Sequence, residues 1–369
     1  MTTGGGTRSF TAMYGSLLGL QKLNLLDCIT YLTGLSGTTW TMCKLYEDPD
    51  WSQKYLEEAI NKARRQVIKS KFNCFSPDKL KYYYDELSQK IKEGHSTSFI
   101  DLWGLIIESM FHDEKDNHTL SDQRMALNEG QNPFPIYLAV NLKDNYSAQD
   151  FKEWLEFTPY EVGSMKYGAY IRSEDFGNEF FMGRLMKKFP EIRICFMQGM
   201  WSSIFSLDLI YFWNVANDSE EFWYMWTRDR IQDIGKNLDQ FSKYASELGV
   251  PFPKTEISEE DKNNLKECYV FEDTENTAAP LVLFFPLTND TFKAFEAPGV
   301  ERLPTNMEEG NVDVSSFFSP FGTREVSFSE DNFDKLVKLA EYNILNNEDK
   351  IIEAFHAAVQ RKKYQKNQK

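Results

Sequence analysis

The chain lacks the chemistry that several protein classes require. Of its 369 residues only five are cysteine and four are histidine, and the formal net charge is −15. An odd number of cysteines with no C-x-x-C pair predicts reduced thiols rather than a disulfide framework or a zinc site. Binding of nucleic acid needs a basic surface, so the negative charge argues against that partner. The same charge disfavours simple adsorption to an anionic membrane.

Long apolar runs are also lacking. No run reaches the roughly 18 residues that a transmembrane helix needs, and no apolar signal core follows Met1. We therefore expect a cytoplasmic protein that contacts membranes only peripherally. Aromatic residues, by contrast, make up 15% of the chain, with 29 Phe and 8 Trp. This abundance indicates a large apolar core or an interfacial surface.

The apolar pattern predicts both helices and strands. The length is enough for one large α/β domain or two smaller ones. Periodicity and Pro or Gly boundaries define the segments. Helices are predicted at residues 9–26, 38–47, within 51–93, and at 333–340 and 351–359, and strands at 28–32, 133–140, 192–197 and 281–285.

Two glycine-rich motifs near the start carry candidate chemistry. Residues 4–8 read Gly-Gly-Gly-Thr-Arg and residues 34–40 read Gly-Leu-Ser-Gly-Thr-Thr-Trp. A glycine triplet that enters a helix can aim backbone N–H groups at an anion, and Arg8 can add charge for a phosphate. A serine on a sharp turn between strand and helix can be an exposed nucleophile, which makes Ser36 the candidate. The alternatives are a flexible chain start, a surface arginine and an ordinary serine in a glycine-rich turn.

A serine nucleophile needs a base within hydrogen-bond reach. The usual base is histidine, but all four histidines lie in polar or helical contexts without an adjacent strand-end acid: His95, His112, His118 and His356. The sequence therefore favours a Ser–Asp dyad over a triad.

Further motifs extend over nearly the whole chain. The two glycine-rich motifs resemble those of the patatin-type lipases, specifically the cytosolic (group IV) phospholipases A2, and the similarity is greatest to the delta/epsilon/zeta branch. Other stretches that resemble this family are residues 154–163, 176–183, 201–206, 265–271 and 297–300.

The resemblance implies a three-layer α/β patatin-like catalytic domain over residues 1–360, with a Ser–Asp dyad and an aromatic-lined lipid funnel. By motif match Ser36 is the nucleophile, Gly5 and Gly6 supply oxyanion N–H groups, and Arg8 holds the substrate phosphate. The implied reaction cleaves fatty acyl esters of glycerophospholipids through an acyl-enzyme. Water then releases the fatty acid, or the amine of phosphatidylethanolamine accepts it, as in epsilon-type enzymes.

The chain departs from the family where the dyad aspartate should lie. The family's Asp-Ala-Gly-type motif is absent from residues 207–250, and we expect an internal deletion near Lys236–Asn237 that also reduces the lid. The nearby Asp233 precedes Ile-Gly but follows polar residues, so it is a weak candidate base; the alternative is a glycine-capped helix end. A non-catalytic variant that binds lipid or a protein partner is therefore the competing function.

Both ends of the chain also carry expectations. The family has a strand before the glycine loop and a calcium-dependent lipid-binding module further upstream, and the sequence begins without them. We therefore expect no cofactor and no metal site in this chain. Residues 361–369 form a basic tail with five positive charges, and Arg361, Lys362 and Lys363 are candidate contacts to anionic lipid. The alternative is a frayed, solvated helix end.

Overall fold

The computed structural model describes residues 1–141, 153–202, 265–273, 279–316, 319–322 and 325–367. The chain divides into two compact units. The first comprises Met1–Phe10, Ile29–Lys254 and Thr323–Ser327, and the second comprises Thr11–Cys28, Thr255–Gly322 and Phe328–Lys369. Helix α1 (Gly6–Lys22) passes from the first unit into the second. No helix of the described part is long and apolar enough to cross a bilayer.

A five-stranded sheet forms the centre of the first unit. Its strands, in spatial as well as chain order, are β1 (Tyr31–Leu35), β2 (Phe134–Asn141), β3 (Glu153–Phe157), β4 (Glu161–Ser164) and β5 (Ala169–Arg172). Strands β1 and β2 are parallel, with Tyr31 opposite Phe134, and the remaining neighbours are antiparallel. The long connection between β1 and β2 is what a parallel pair requires. It carries most of the helices of this unit.

The helices of the first unit follow local signals in the sequence. They are α2 (Gly37–Leu45), α3 (Glu57–Val67), α4 (Pro77–Lys92), α5 (Phe99–Phe111) and α6 (Ile194–Trp201). The predicted helical region 51–93 divides into α3 and α4 because Pro77 starts a new helix, where its missing N–H costs nothing. The Ser76 side chain caps that start by accepting from the Lys79 N–H (3.4 Å).

The strand predicted at residues 192–197 is wrong. Residues from Ile194 onward form α6, in which nearly every side chain is buried. A short apolar run without polar alternation fits a buried helix as well as a buried strand, so its period could not decide between them.

A separate hairpin leaves the main sheet of the first unit. Among the strands that the structure describes, β6 (Glu179–Phe181) and β7 (Arg184–Lys187) pair only with each other, antiparallel, and every residue of both strands is exposed.

The second unit combines helices with two short hairpins. Strands β8 (Tyr269–Phe271) and β9 (Val282–Phe284) form one hairpin, and β10 (Phe295–Ala297) and β11 (Val300–Glu301) form the other. The strand predicted at 281–285 is thus confirmed as β9. The two predicted C-terminal helices are confirmed as α7 (Glu330–Leu345) and α8 (Glu348–Asn367). Helix α8 continues into the basic segment that starts at residue 361.

A buried carboxylate joins several segments of the second unit. Glu267 accepts hydrogen bonds from the Thr291 N–H (3.0 Å) and hydroxyl, from Asn346 Nδ2 (2.8 Å) and from Asn347 Nδ2 (3.3 Å). Both carboxylate oxygens therefore have donors, which offsets the cost of removing the charge from water.

Candidate active site at Ser36

Ser36 alone connects strand β1 to helix α2. Its backbone has φ 57° and ψ −126°, a conformation that non-glycine residues rarely adopt. The turn is fixed locally: Thr38 Oγ1 accepts from the Leu35 N–H (3.0 Å) and donates to the Leu35 carbonyl (2.9 Å). The Thr39 N–H also donates to the Ser36 carbonyl (2.8 Å). The predicted strand–serine–helix turn is therefore present, and its strain is held by neighbouring threonines.

The Ser36 hydroxyl is buried without a hydrogen-bond partner in the described part of the chain. The residue is 5% exposed, and its Oγ is among the buried polar atoms that lack a donor or acceptor. Leaving a buried hydroxyl unpaired costs about 1–3 kcal/mol. Strain and an unpaired polar group on one residue are costs that proteins retain mostly at functional sites.

The glycine loop lies against this serine. Gly5 (φ 151°) and Gly6 (φ 59°) have positive φ, and α1 begins at Gly6. A Cβ added to Gly4 would lie 3.0 Å from the Cβ of Ser36, and one added to Gly37 would lie 2.1 Å from the Gly6 carbonyl oxygen. Glycine is thus required at position 37 because the start of α1 packs directly on the start of α2.

Two helix N-termini consequently converge at the serine. Each carries a partial positive charge and unpaired backbone N–H groups, which together favour an anion. Arg8, in the first turn of α1, adds a full charge, and its Nε lies 3.6 Å from the ideal Cβ position of Gly5. Burial lowers the pKa of Arg8, yet an arginine stays protonated at neutral pH. No carboxylate of the described residues pairs with it.

The Ser36 turn also depends on a segment that is distant in the chain. The Ser36 N–H donates to the Trp201 carbonyl at the end of α6 (3.2 Å). The Trp201 ring stacks on Tyr137 of β2 at 4.3 Å between centroids and meets Phe157 of β3 edge-on at 5.7 Å. This aromatic group links the turn to the central strands.

Several residues of the site were not identified from the sequence. Thr38 and Thr39 shape the turn, Ser9 donates to the Gly6 carbonyl (3.1 Å), and Thr2 donates from its N–H (2.8 Å) and hydroxyl (2.7 Å) to the Thr33 carbonyl. These two hydrogen bonds from Thr2 hold the first residues of the chain beside β1. The only local signal was that these small hydroxyl residues lie beside the two glycine-rich motifs.

The structure brings together Ser36, Gly5, Gly6 and Arg8 in the first unit. Asp233, the shortened interval 207–250 and the junction near Lys236–Asn237 lie outside the described residues. Their assignments therefore remain predictions.

The basic candidates lie in the second unit, on α8. Arg361 forms an ion pair with Glu272 and donates to the Ala279 carbonyl (3.1 Å). Lys362 and Lys363 are exposed. Arg361 is thus engaged within the protein, whereas the two lysines face solvent.

None of the four histidines, all of which the structure describes, hydrogen bonds the Ser36 hydroxyl. His95 is buried with its Nε2 3.0 Å from the Pro190 carbonyl, and His118 lies 2.5 Å from Asp116.

One group in the described residues has the donor set for a metal ion. Ligand atoms of Glu47, His112 and Asp116 lie within 4.8 Å of one another. Lys44 Nζ, however, lies 3.0 Å from His112 Nδ1 and 3.1 Å from Glu47 Oε1, so a cation already balances the group. Burial, followed by the Lys44 charge, lowers the pKa of His112 to about 4. Since Nδ1 accepts from Lys44, the neutral ring carries its proton on Nε2 in this arrangement, and a metal ion at Nε2 would have to displace that proton.

Residues 1–295 match the family model of the lysophospholipase catalytic domain. The chain belongs to this family. The resemblance to cytosolic phospholipases A2 is confirmed by individual relatives. The human cytosolic phospholipase A2 epsilon is 43% identical over 490 positions that cover 100% of this chain and 56% of the relative. The human delta enzyme is 35% identical over 97% of this chain and 59% of its own length.

Solved structures of a cytosolic phospholipase A2 confirm the α/β fold. The human GIVD cytosolic phospholipase A2 matches with a TM-score of 0.82 and 36% identity, over 98% of this chain and 60% of that one. Its complex with methyl gamma-linolenyl fluorophosphonate matches with a TM-score of 0.81 and 38% identity, over 98% and 58%.

The chain spans little more than half the length of these relatives. The alignment with the human epsilon enzyme is also longer than this chain, by 490 minus 369, that is 121 positions. The relative therefore has residues inside the aligned region that this chain lacks. This agrees with an internally shortened domain, and the junction near Lys236 stays a prediction.

Proposed function

We propose that the first unit carries a phospholipase A2-type serine acyl-hydrolase site that acts on glycerophospholipids. The observation that carries the proposal is the Ser36 hydroxyl, buried and unpartnered on a strained turn at two converging helix N-termini. Membership of the lysophospholipase catalytic-domain family supports the same chemistry.

The proposed reaction has two steps. Ser36 Oγ attacks the ester carbonyl carbon and gives its proton to a base, while the N–H groups of Gly5 and Gly6 stabilise the oxyanion. The ester C–O bond then breaks, and the lysophospholipid alkoxide leaves with that proton. Water attacks the acyl-enzyme in the same way, which frees the fatty acid and restores the serine.

Whether a general base is present for Ser36 decides between this hydrolase function and a non-catalytic function. Family resemblance calls for an aspartate, yet residues 207–250 lack its motif and Asp233 is a weak substitute. Losing the acid of a serine triad costs roughly 10⁴ in rate, and in a dyad the acid is itself the base. The second candidate is therefore a non-catalytic variant that binds lipid or a protein partner.

Arg8 would hold the substrate phosphate, and the acceptor can vary. A half-buried guanidinium without a carboxylate partner among the described residues is suited to a phosphate monoanion.

The acyl acceptor in the second step need not be water. The amine of phosphatidylethanolamine could replace it, which would yield N-acyl-phosphatidylethanolamine. Mass spectrometry of the products from phosphatidylethanolamine vesicles distinguishes this transfer from hydrolysis.

We also propose a cytoplasmic protein that binds membranes peripherally, without calcium or another cofactor in this chain. The relatives' names, cytosolic phospholipases A2, support the location. Because Arg361 is ion-paired with Glu272, lipid contact by α8 would fall mainly to Lys362 and Lys363. Truncation after Gln360 tests this contact: the proposal expects weaker, less salt-sensitive binding to phosphatidylserine vesicles, and unchanged binding would refute it.

The nucleophile is tested with methyl gamma-linolenyl fluorophosphonate, whose phosphorus reacts with activated serine hydroxyls. We expect one adduct on Ser36 by peptide mass spectrometry, and none on Ser36→Ala. Ser164→Ala is the matched control because Ser164 is also buried with an unpartnered hydroxyl but has no strained turn. Phospholipid hydrolysis should follow the same pattern. Equal rates of hydrolysis by the wild type and Ser36→Ala would refute the proposed catalysis by Ser36.

Arg8 is tested by substrate choice. Arg8→Gln should lower kcat/KM for a phospholipid roughly 10–100-fold, since a charge-assisted contact to phosphate is lost, and leave a neutral p-nitrophenyl ester nearly unaffected. Arg65→Gln, at an exposed arginine of α3, is the matched control. Equal losses on both substrates would contradict the phosphate role.

A further inference from the structure

The β6–β7 hairpin exposes an unusual run of large apolar side chains. Residues 179–188 read Glu-Phe-Phe-Met-Gly-Arg-Leu-Met-Lys-Lys. Exposure lies between 38% and 89% for all five apolar residues: Phe180, Phe181, Met182, Leu185 and Met186. Contiguous exposed apolar surface on a water-facing element marks an interaction site.

Both faces of this ribbon are apolar. Successive side chains of a strand point to opposite faces, so Phe180 and Phe181 lie on different faces, as do Leu185 and Met186. A structural hairpin would bury one of these faces against the protein, because an isolated two-stranded ribbon is marginally stable in water. An apolar environment around the tip of the hairpin would remove the apolar side chains of both faces from water.

Basic side chains accompany the apolar ones. Arg184, Lys187 and Lys188 are exposed, and Glu179 is the only acid within residues 179–188, so this segment has a formal charge of +2 in a chain of −15. Lys187 lies 3.6 Å from Glu179, and Lys188 lies 3.8 Å from Asp175. Both lysines are exposed, although Asp175 is partly buried, and ion pairs this long contribute little free energy, so each lysine can exchange its partner for another anion.

The hairpin is held firmly at its base and turn. Phe189, directly after it, is buried, has its ring centroid 5.0 Å from that of His95 in a tilted contact, and donates its N–H to Asn178 Oδ1 (2.8 Å). At the tip, Met182 and Gly183 both have positive φ (49° and 75°), as in the tight turns that match strand twist. The apolar tip is therefore presented by a defined scaffold.

We propose that the β6–β7 hairpin inserts its tip into the interface of an anionic phospholipid membrane. Phe181, Met182 and Met186 enter the acyl boundary, while Arg184 and Lys188 contact lipid phosphates. Three residues of strand extend about 10 Å, which matches the roughly 5–10 Å depth of an interfacial element. The positive segment gives this acidic protein a surface that a negative membrane attracts. The inference rests on the proposed action on phospholipids.

Vesicle sedimentation tests the apolar contribution. With equal parts phosphatidylcholine and phosphatidylserine, Phe181→Ser with Met182→Ser should weaken binding about tenfold or more, since each side chain buries substantial apolar area. Phe72→Ser is the matched control because Phe72, outside the hairpin, is 88% exposed. Binding equal to the wild type would overturn the proposal and leave a protein partner as the occupant of this surface.

Removal of positive charges from the hairpin tests its preference for anionic lipid. Arg184→Gln with Lys188→Gln should lower binding to the mixed vesicles severalfold and leave binding to pure phosphatidylcholine unchanged. Arg65→Gln with Lys81→Gln, at exposed positions of α3 and α4, is the control of equal charge. An equal loss in both pairs would show that only net charge matters, which contradicts a specific hairpin contact.

Insertion itself is measured with a fluorophore at the tip. Met182→Cys in a Cys28→Ser background places one exposed thiol on the protein, because the other four cysteines are buried. An environment-sensitive dye at residue 182 should shift to the blue on addition of mixed vesicles, and the same dye at Phe72→Cys should not. No shift at residue 182 would overturn the proposal.

Labelling of Ser36 by the fluorophosphonate without vesicles separates the two proposals. Hairpin variants that lose vesicle binding but are labelled like the wild type support the hairpin role. A wild type that binds through the hairpin yet is never labelled refutes only the proposed catalysis. Labelled variants that bind vesicles as well as the wild type refute only the hairpin.

Discussion

Each of the two units contains a buried polar group, but the two groups differ in whether they have hydrogen-bond partners. In the first unit the Ser36 hydroxyl has no partner among the described residues, and its backbone is strained. In the second unit the Glu267 carboxylate receives donors from Thr291, Asn346 and Asn347.

This contrast separates structural from functional use of a buried polar residue. A fully paired carboxylate fixes the segments that supply its donors, and its removal should harm folding. An unpaired, strained hydroxyl does not stabilise the fold, which is the pattern expected under the proposed chemistry.

The largest effect is expected when Glu267 is removed. Glu267→Ala leaves several buried donors unpaired and should lower the free energy of unfolding by about 2–4 kcal/mol, measured by urea denaturation. Glu267→Gln, which keeps one acceptor, should lose less. Glu353→Ala, at an exposed glutamate of α8, is the control. A loss as small as that of the control would break the contrast.

Gly37 tests how closely the two helix starts must approach. In Gly37→Ala the new Cβ would lie 2.1 Å from the Gly6 carbonyl oxygen, so the glycine loop must shift. A displacement of about 1 Å can cost roughly 10²-fold in rate, and we expect that loss in the rate of fluorophosphonate labelling. Gly130→Ala, where nothing lies within 4 Å of the added Cβ, is the control for a glycine replacement without a steric clash; Gly130 has positive φ and Gly37 does not, so any effect at residue 37 comes from the clash. Unchanged labelling would show that the loop does not form the oxyanion site.

His112 should make the stability of the first unit depend on pH. Because its folded pKa is about 4 against an ordinary value of 6.5, the unfolded chain binds a proton first as the pH falls. Stability should be complete above pH about 6.5 and fall by on the order of 1–3 kcal/mol toward pH 4, as followed by thermal melting. His112→Gln should flatten this dependence, whereas the exposed His356→Gln should not. Equal slopes in the wild type and His112→Gln would contradict the assignment.

The smallest effect concerns the stability of Ser36→Ala. Removing a buried hydroxyl without a partner should leave the free energy of unfolding unchanged or raise it by up to about 1 kcal/mol. Calorimetric melting of this variant beside the wild type measures it. Destabilisation by more than about 1 kcal/mol would reveal a structural role and weaken the contrast with Glu267.

Local patterns predicted the local parts of the site. The Ser36 turn, the helix after the glycine loop and helices α7 and α8 follow from glycine placement and apolar spacing over a few residues. The segment at Ile194 was assigned the wrong structure because an all-apolar run has no period that distinguishes buried helix from buried strand.

Long-range parts of the site could not be predicted. The Trp201 carbonyl under Ser36, and the approach of Glu47 to His112, depend on how β1, α2, α5 and α6 pack. No spacing in one sequence encodes such contacts. The glycine-rich motif around Ser36 predicts a sharp turn, and the structure adds that Gly37 also permits the close approach of α1.

The hydrogen bond from Ser36 to Trp201 has a consequence for the timing of synthesis. A ribosome releases the serine long before it makes α6, and local threonines alone then oppose the strain of the turn. Since contacts distant in the chain form late in folding, the turn completes its support only after α6 packs. A nascent chain would therefore carry its glycine loop and serine without their complete support until α6 is in place.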